Sequence, residues 1–371
     1  MSNIVHKHDL ATIFRHFDSR ADYVAGMPYG TGHINDTFRI SASQGGHKVF
    51  FTLQHVNTRI FKDGPGLMSN ITRISQHAVA RLRAEGATDA SRRALQVVPA
   101  IDGRPFHIDA AGMLWRMYVF IDGVRTHDKV EQPRHAFEAA RSFGLFQRLL
   151  ADLPGARLNE TIVNFHHTRS RFEAFRQALQ QDACGRAAGV RRESDFAQAR
   201  EPLCDVLLDL MASGEIPERV THNDTKINNV LMDDQSDEGM CVIDLDTCMP
   251  GCALYDFGDM VRSATNSTAE DDPDASRVHC QVGIFEALAR GYLGAADFLT
   301  PAERAHLVTG GKLMTLECGI RFLTDYLQGD TYFKIHRPGQ NLDRCRTQFA
   351  LVKSIEDEAG AMQKIVDLLK P

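Results

Sequence analysis

Apolar positions along the first 120 or so residues fall in short runs, and after Pro133 they recur at helical spacing. "DTFRISA" (36–42) and "KVFFTLQHV" (48–56) read as strands separated by "SQGGH", which predicts a hairpin around Gly45–Gly46. "GLMSNITRISQHAVARLRAEG" reads as a helix stopped by Gly86. "ALQVVPAI", "RPFHID" and "MLWRMYVFIDG" predict further strands with turns at Gly103 and Gly112. Ala136, Ala140, Phe143, Phe146 and Leu150 then fall on one helical face, as do Phe172, Phe175 and Leu179. "PLCDVLLDLMASG" predicts a helix ended by Gly214, and Leu313, Leu316, Ile320, Leu323 and Leu327 form a 3-4-3-4 stripe. The tail "AMQKIVDLLK" predicts a last amphipathic turn or two. Short strands are expected at Arg219–His222, Val230–Met232 and Cys241–Leu245. The order predicts an α+β chain: a small β-rich part (1–120), a hinge near Val119–Gly123, and a larger helical part (121–371) with a small strand insert.

Composition narrows the function classes. A net charge of −6 gives no reason to expect a nucleic-acid or acidic-membrane partner. No run approaches the ~18 apolar residues that a membrane span needs, and the N-terminus has no signal-peptide core, so a cytoplasmic location is expected. The eight cysteines include no CxxC pair, which predicts mostly buried thiols in a reducing compartment. The histidines contain no HExxH, and the neighbours His166–His167 cannot share a helical face, so they read as ordinary.

Chemistry concentrates in "THNDTKINNVLMD" (221–233) and "CVIDLD" (241–246), which gather His222, Asp224, Lys226, Asn229 and Asp244 around strand-like runs. Phosphoryl transfer from ATP needs Mg²⁺ on the phosphates, a cation near the moving group, and a carboxylate that orients the attacking hydroxyl. Magnesium prefers oxygen ligands, so Asn229 and Asp244 suit it. Asp224 suits the base, and Lys226 can point at the γ-phosphate. A turn rich in Asn and Asp that bonds its own backbone explains one or two of these residues, not the ordered set.

The span "HNDTKINN…VIDLDTCMPGCALYDFGDMVR" resembles the aminoglycoside phosphotransferase/choline kinase superfamily, whose members share a bilobal protein-kinase-like fold. "GHINDTF", "HNDTKINN" and "LECGIRFLTDYLQGDTYFKIH" together resemble its N-acetylhexosamine 1-kinase branch, from about Gly30 to His336. The resemblance implies that His222 and Asp256 brace the catalytic loop. It implies that "GTGHINDTF", with Gly30 and Gly32, turns over the phosphates and brings His33, Asn35 and Asp36 close to the sugar. Arg321 and Tyr332 become sugar-site residues, and Val119 and Phe120 offer backbone groups to adenine.

The chain departs from the kinase pattern at "FFTLQHVN", where Gln54 and His55 stand in place of the phosphate-binding lysine; Lys48 and Lys62 are the nearby candidates to compensate. Asp246 is expected to face the same way as Asp244 along a strand, as a second metal or sugar contact or a strand-end acid. Asp259 and Arg262 read as a surface pair worth a few tenths of a kcal/mol. Glu317, Arg321 and Asp325 read on spacing alone as a solvated ladder, and the resemblance turns Arg321 into the cleft. Tyr332 and Phe333 fit either core packing or a sugar contact.

The expected function is an ATP- and Mg²⁺-dependent kinase acting on the C1 hydroxyl of an N-acetylhexosamine, as a monomer or weak homodimer. The alternatives are a kinase for an amino alcohol or aminoglycoside, and a nucleotide-binding module without turnover.

Overall fold

The computed structural model describes residues 8–30 and 34–369. Six strands form an antiparallel sheet: β1 (Asp22–Pro28), β2 (Asp36–Gln44), β3 (His47–His55), β4 (Val97–Val98), β5 (His107–Ile108) and β6 (Leu114–Val119). Their order is β1-β2-β3-β6-β4, with β5 also on β6. β2 and β3 pair along their full length, Asp36 opposite His55 and Gln44 opposite His47. Between them Gly45 and Gly46 have φ of 56° and 82°, the left-handed pair that a two-residue hairpin turn requires.

Strand alternation sorts the side chains. Phe38 and Ile40 of β2, Leu53 of β3 and Trp115 and Met117 of β6 pack in one core with Leu10 and Phe14 of the short helix α1 (Leu10–Phe14). The other face of β6 carries Leu114, Arg116 and Tyr118. Leu114 and Tyr118 join the core of the helical part, so Arg116 between them also points there.

Helix α2 (Gly64–Ala84) starts at Asp63, whose carboxylate accepts the Gly66 N–H at 2.9 Å, and is followed by Gly86 at φ 87° and the single turn α3 (Ala90–Arg93). The chain leaves the sheet through 120–123, and β7 (Val124–Arg125) already pairs with a strand of the helical part. That part comprises α4 (Pro133–Leu150), α5 (Thr168–Gln181), α6 (Arg191–Gln198), α7 (Leu203–Ala212), α8 (Ala253–Ala264), α9 (Val282–Leu293), α10 (Pro301–Ala305), α11 (Leu307–Leu327) and α12 (Gln340–Leu368). Strands β8 (Arg219–Thr221), β9 (Val230–Asp233), β10 (Gly239–Val242) and β11 (Met249–Gly251) complete it as two small sheets, β10-β9-β7 and β11-β8.

The apolar stripe of α11 is buried throughout, Leu313 through Leu327. α8 crosses α11 at glycines: a methyl on Gly258 would stand 2.4 Å from the Gly310 carbonyl oxygen, so the two backbones touch. Two expectations need correction. The tail is one 29-residue helix, α12, not a turn or two; it starts after Gly339 at φ 77° and buries Leu351, Val352, Ile355, Met362 and Val366. The strand expected to reach Leu245 stops at Val242.

All eight cysteines are free, and six are buried. Among the described residues no helix is long and apolar enough to cross a membrane.

Candidate active site

The loop after β8 is held from three sides. His222 is fully buried edge-on against Phe143 and Phe146 of α4. Its Nε2 donates to the Ile243 carbonyl at 2.9 Å, and its Nδ1 accepts the Asp224 N–H at 3.3 Å. Asp256, in the first turn of α8, accepts the backbone N–H groups of His222 and Asn223 at 2.8 and 2.7 Å and the Gln147 amide at 2.6 Å. Burial pushes the Asp256 carboxyl up despite these donors. Asp259 accepts the Thr225 N–H at 2.9 Å and pairs with Arg262 at 2.7 Å. Both side chains of this pair are buried, so it braces the loop and is not the surface pair expected. Asn223 takes left-handed φ 66°, which an Asn tolerates better than most residues.

The braced loop presents Asp224, Lys226 and Asn229 together. Lys226 Nζ lies 2.9 Å from Asp224 Oδ1, and Asn229 Nδ2 lies 3.2 Å from Asp224 Oδ2 and 2.9 Å from its carbonyl. Desolvation acts upward on Asp224, but Lys226, by its charge and its hydrogen bond, holds it below the usual carboxylate range. Lys226 is raised by the same pairing.

Asp244 follows β10 and sits in a left-handed conformation, φ 59°, ψ 58°, ahead of a single 3₁₀ turn. Asp244 is exposed, yet desolvation by the surrounding protein still acts on its carboxyl. Desolvation and the nearby charges of Asp246 and Asp224 push it up to about 7. Among the described residues no hydrogen bond or ion pair neutralises it, and Asn229 Oδ1 is likewise left without a donor once its amide nitrogen has been used. These are hard oxygen donors with an excess of negative charge, the donor set that suits Mg²⁺.

Asp246 does not share this direction. It is buried in the 3₁₀ turn, where one oxygen pairs with Arg116 Nη1 and the other accepts the Asn35 amide at 2.6 Å. Arg116 also donates Nε to Gln54 Oε1 at 2.9 Å, and Gln54 donates to Thr37 Oγ1 at 2.9 Å. Gln54 and Arg116 are cross-strand neighbours. The cation missing from β3 is therefore carried one strand over, and its partner is Asp246. Lys48 lies over the Phe50 ring at 5.1 Å and Lys62 is exposed.

Around the nucleotide side the placements are mixed. Gly30 has φ 80° with open space around it. Gly32 and His33 lie outside the described residues. Asn35 is committed to Asp246 and to the Asn57 N–H at 2.9 Å. Asp36, expected near the sugar, shares the sheet face of Phe38 and points to the opposite side from Arg116, with His55 Nδ1 at 3.4 Å and His8 Nε2 at 3.8 Å. The amides of Val119 and Phe120 already donate to Gln96 and Phe50, which leaves their carbonyls; the Ile121 amide has no backbone acceptor among the described residues.

On α11 the solvated ladder expected of Glu317, Arg321 and Asp325 does not form. Glu317 is buried, not solvated: it accepts Thr168 Oγ1 at 3.1 Å and faces His166 Nδ1 at 2.8 Å. The other ring nitrogen of His166 lies 3.0 Å from the Asn223 carbonyl. Both neighbours are acceptors, so satisfying them together requires the imidazolium. Desolvation opposes the Glu317 charge, but His166, Arg321 and Arg171 hold its carboxyl below the ordinary range. His166 thus ties α11 to the loop that carries Asp224; nothing local in the sequence marks it, because both partners are distant. Asp325 is buried too, accepting the N–H groups of Thr331, Tyr332 and Phe333 at 2.7 to 2.9 Å. Arg321 has no hydrogen-bond or ion-pair partner among the described residues, and its guanidinium lies 5.2 to 5.9 Å from the Phe165, Tyr332 and Phe333 ring centroids. Tyr332 is 62% exposed, so it is no core residue. Arg171, half-buried nearby, is held below its usual range by burial and by Arg321.

The sequence matches the family described as "Phosphotransferase enzyme family" over residues 26–301. Among solved structures the chain is similar to an aminoglycoside phosphotransferase from Alicyclobacillus acidocaldarius, at 11% identity and TM-score 0.59, covering 96% of each chain. It is similar to a microcompartment-associated aminopropanol kinase, at 15% identity and TM-score 0.54, covering 95% of this chain and 97% of that one. It is also similar to a spectinomycin phosphotransferase in complex with ADP and spectinomycin, at 12% identity and TM-score 0.53, covering 90% and 94%. These likenesses show the fold, the protein-kinase-like α+β arrangement of an antiparallel sheet followed by a helical part.

Proposed function

Since the chain belongs to the phosphotransferase enzyme family, we propose that it moves the γ-phosphoryl group of ATP to a hydroxyl bound between Asp224 and Arg321. The reading is carried by one observation: Asp224 is held ionised by Lys226 and Asn229 beside an unneutralised Asp244. The incoming hydroxyl donates its hydrogen bond to Asp224. Its oxygen bonds to the γ-phosphorus as the bond to the β–γ bridging oxygen breaks, and the proton passes to Asp224. A carboxylate held this low is a weak base, so it orients the hydroxyl first and takes the proton late, as a loose transition state requires. Lys226 offsets charge on the transferring group. Asn229 and Asp244 would hold Mg²⁺, which when bound neutralises phosphate oxygens. The carbonyls of Val119 and Phe120, with the Ile121 amide, suit the adenine edge.

The finer reading is an N-acetylhexosamine phosphorylated at C1. It is supported by the three resembling segments and by Arg321, whose unpaired donors and adjacent exposed Tyr332 suit sugar hydroxyls and a ring face. The second reading is a kinase for an amino alcohol or aminoglycoside, and the names of the similar structures favour it. The Arg321 and Arg171 charges disfavour a polycation. A nucleotide-binding module without turnover is disfavoured by the complete Asp224–Asn229–Asp244 set.

An ADP-release assay over free sugars, amino alcohols and aminoglycosides, with phosphorus NMR locating the new ester, separates these readings. A 1-phosphate from an N-acetylhexosamine is expected. Turnover of an amino alcohol alone selects the second reading, and no turnover of any acceptor selects the third.

A further inference from the structure

The β9–β10 hairpin has two ends. The open end leads directly to Asn229 and Asp244. The turn at the other end lies about four residues away, roughly 13 Å at strand rise, and carries Asp237 at φ 57°. Two histidines meet Asp237 there. His127 follows the hinge strand β7, and His135 lies in the first turn of α4. The rings of His127 and His135 are 4.1 Å apart, and His127 Nε2 is 3.7 Å from Asp237 Oδ1. One nitrogen of each histidine and one oxygen of Asp237 lie within 4.8 Å of one another.

Two further observations separate this cluster from a chance grouping. His127 Nε2 and His135 Nδ1 are both buried and lack a hydrogen-bond partner, and His135 is only 3% exposed. Buried polar atoms are nearly always paired, so two without partners on adjacent rings beside a carboxylate make a candidate ligand set. The remaining nitrogen of His135 is also provided for. The Gln132 side-chain Nε2 lies 2.8 Å from His135 Nε2. The same amide turned end for end would accept an Nε2–H and leave Nδ1 as a lone pair, the arrangement found around metal-bound imidazoles. Arg125 bonds Asp237 Oδ1, and the second carboxylate oxygen of Asp237 accepts no hydrogen bond among the described residues.

We propose that His127, His135 and Asp237 bind a divalent transition-metal ion of the zinc class. Two imidazoles and one carboxylate suit Zn²⁺ and its first-row neighbours and not Mg²⁺, which keeps to oxygen. A water fills the fourth position. The ion joins three segments: the exit of the hinge, the start of α4, and the turn of the hairpin whose other end carries Asn229 and Asp244. It is a tether behind the hinge, apart from the phosphoryl-transfer chemistry, and it does not depend on which acceptor the enzyme uses.

The test is zinc uptake by the EDTA-stripped full chain, measured against a chromogenic chelator, with Co²⁺ as a spectroscopic probe. Wild type should take up about one Zn²⁺ per chain, show visible d–d bands with Co²⁺ typical of low coordination, and gain thermal stability on zinc addition. His127→Gln and Asp237→Asn are partly exposed and should fold; each should lose tenfold or more of the affinity and the cobalt bands. His55→Gln, in the other His/Asp cluster of the described residues, should bind zinc as wild type does. The proposal fails if wild type takes up no more zinc than the His127→Gln/Asp237→Asn double variant, or if His55→Gln is the substitution that abolishes uptake.

Discussion

Arg116 of β6 and Asp246, two residues past Asp244, form a buried ion pair that joins the sheet to the helical part, with side-chain exposures of 2% and 3%. Removing one partner of such a pair leaves an uncompensated buried charge and costs about 3–5 kcal/mol. Arg116→Met is expected to lower the unfolding free energy, followed by urea denaturation, by that amount, and Asp246→Asn nearly as much. A double substitution to Arg116→Met/Asp246→Leu should recover much of the loss. A midpoint unchanged in Arg116→Met would show that the pair contributes nothing.

Asp224→Asn keeps the shape of the loop and removes the acceptor for the hydroxyl proton. Turnover should fall by about 10²–10⁴-fold, while ATP affinity, followed by calorimetry, stays near that of wild type. Near-normal turnover would remove Asp224 from the mechanism.

Asp244 predicts two pH effects of defined sign. Its folded value of about 7 lies above the ~3.9 of an unfolded Asp. Between those values the folded state binds the extra proton, so the ion-free protein loses stability as pH rises from about 4 to about 7 and is level above that. Relative to Asp244→Asn, wild type should be equal near pH 4 and weaker at pH 8 when both are unfolded in EDTA. The same proton competes with Mg²⁺. The apparent Mg²⁺ affinity of the ATP reaction should weaken about tenfold per pH unit below 7 and be flat above it. A Mg²⁺ requirement independent of pH between 5.5 and 8 contradicts this assignment.

His166 links Glu317 to the Asn223 carbonyl, next to Asp224. His166→Gln donates from one end only, and its other end is an acceptor where a second donor is needed. It should cost about 1.5–3 kcal/mol of stability and lower kcat by about 10- to 100-fold through displacement of Asn223 and Asp224. The KM for ATP should hold. Glu317→Gln, which cannot balance the imidazolium, is expected to give the same kcat loss; a normal kcat in both variants means that α11 does not govern the loop.

Arg321→Ala should raise the acceptor KM about 10- to 100-fold, the worth of one or two bonds from a charged donor. The KM for ATP should stay constant. Equal changes in both constants would place Arg321 outside the acceptor site.

Much of this was legible from residue order. Gly45–Gly46 gave away the hairpin, because few other residues tolerate two successive left-handed positions. The loop from His222 to Asn229 was legible because its chemistry is contiguous. What could not be read was long-range pairing. Glu317 and Asp325 looked like a solvated ladder because helical spacing does not reveal what packs against each position. Asp246 seemed to share a strand with Asp244, but the left-handed turn at Asp244 sends it to Arg116. One signal was available: an arginine inside the apolar run "MLWRMYV" is costly to bury and must have an anionic partner. The glycines at 258 and 310 also mark a helix contact, visible only once α8 and α11 are seen to cross.

Arg116 and Asn35 grip Asp246 from the sheet side two residues past Asp244, while β7 is already zipped to β9 just beyond residue 123. A sheet held to the helical part both beyond its hinge and through Asp246 is not free to swing wide like a jaw, and small-angle scattering with and without nucleotide should record nearly the same radius of gyration.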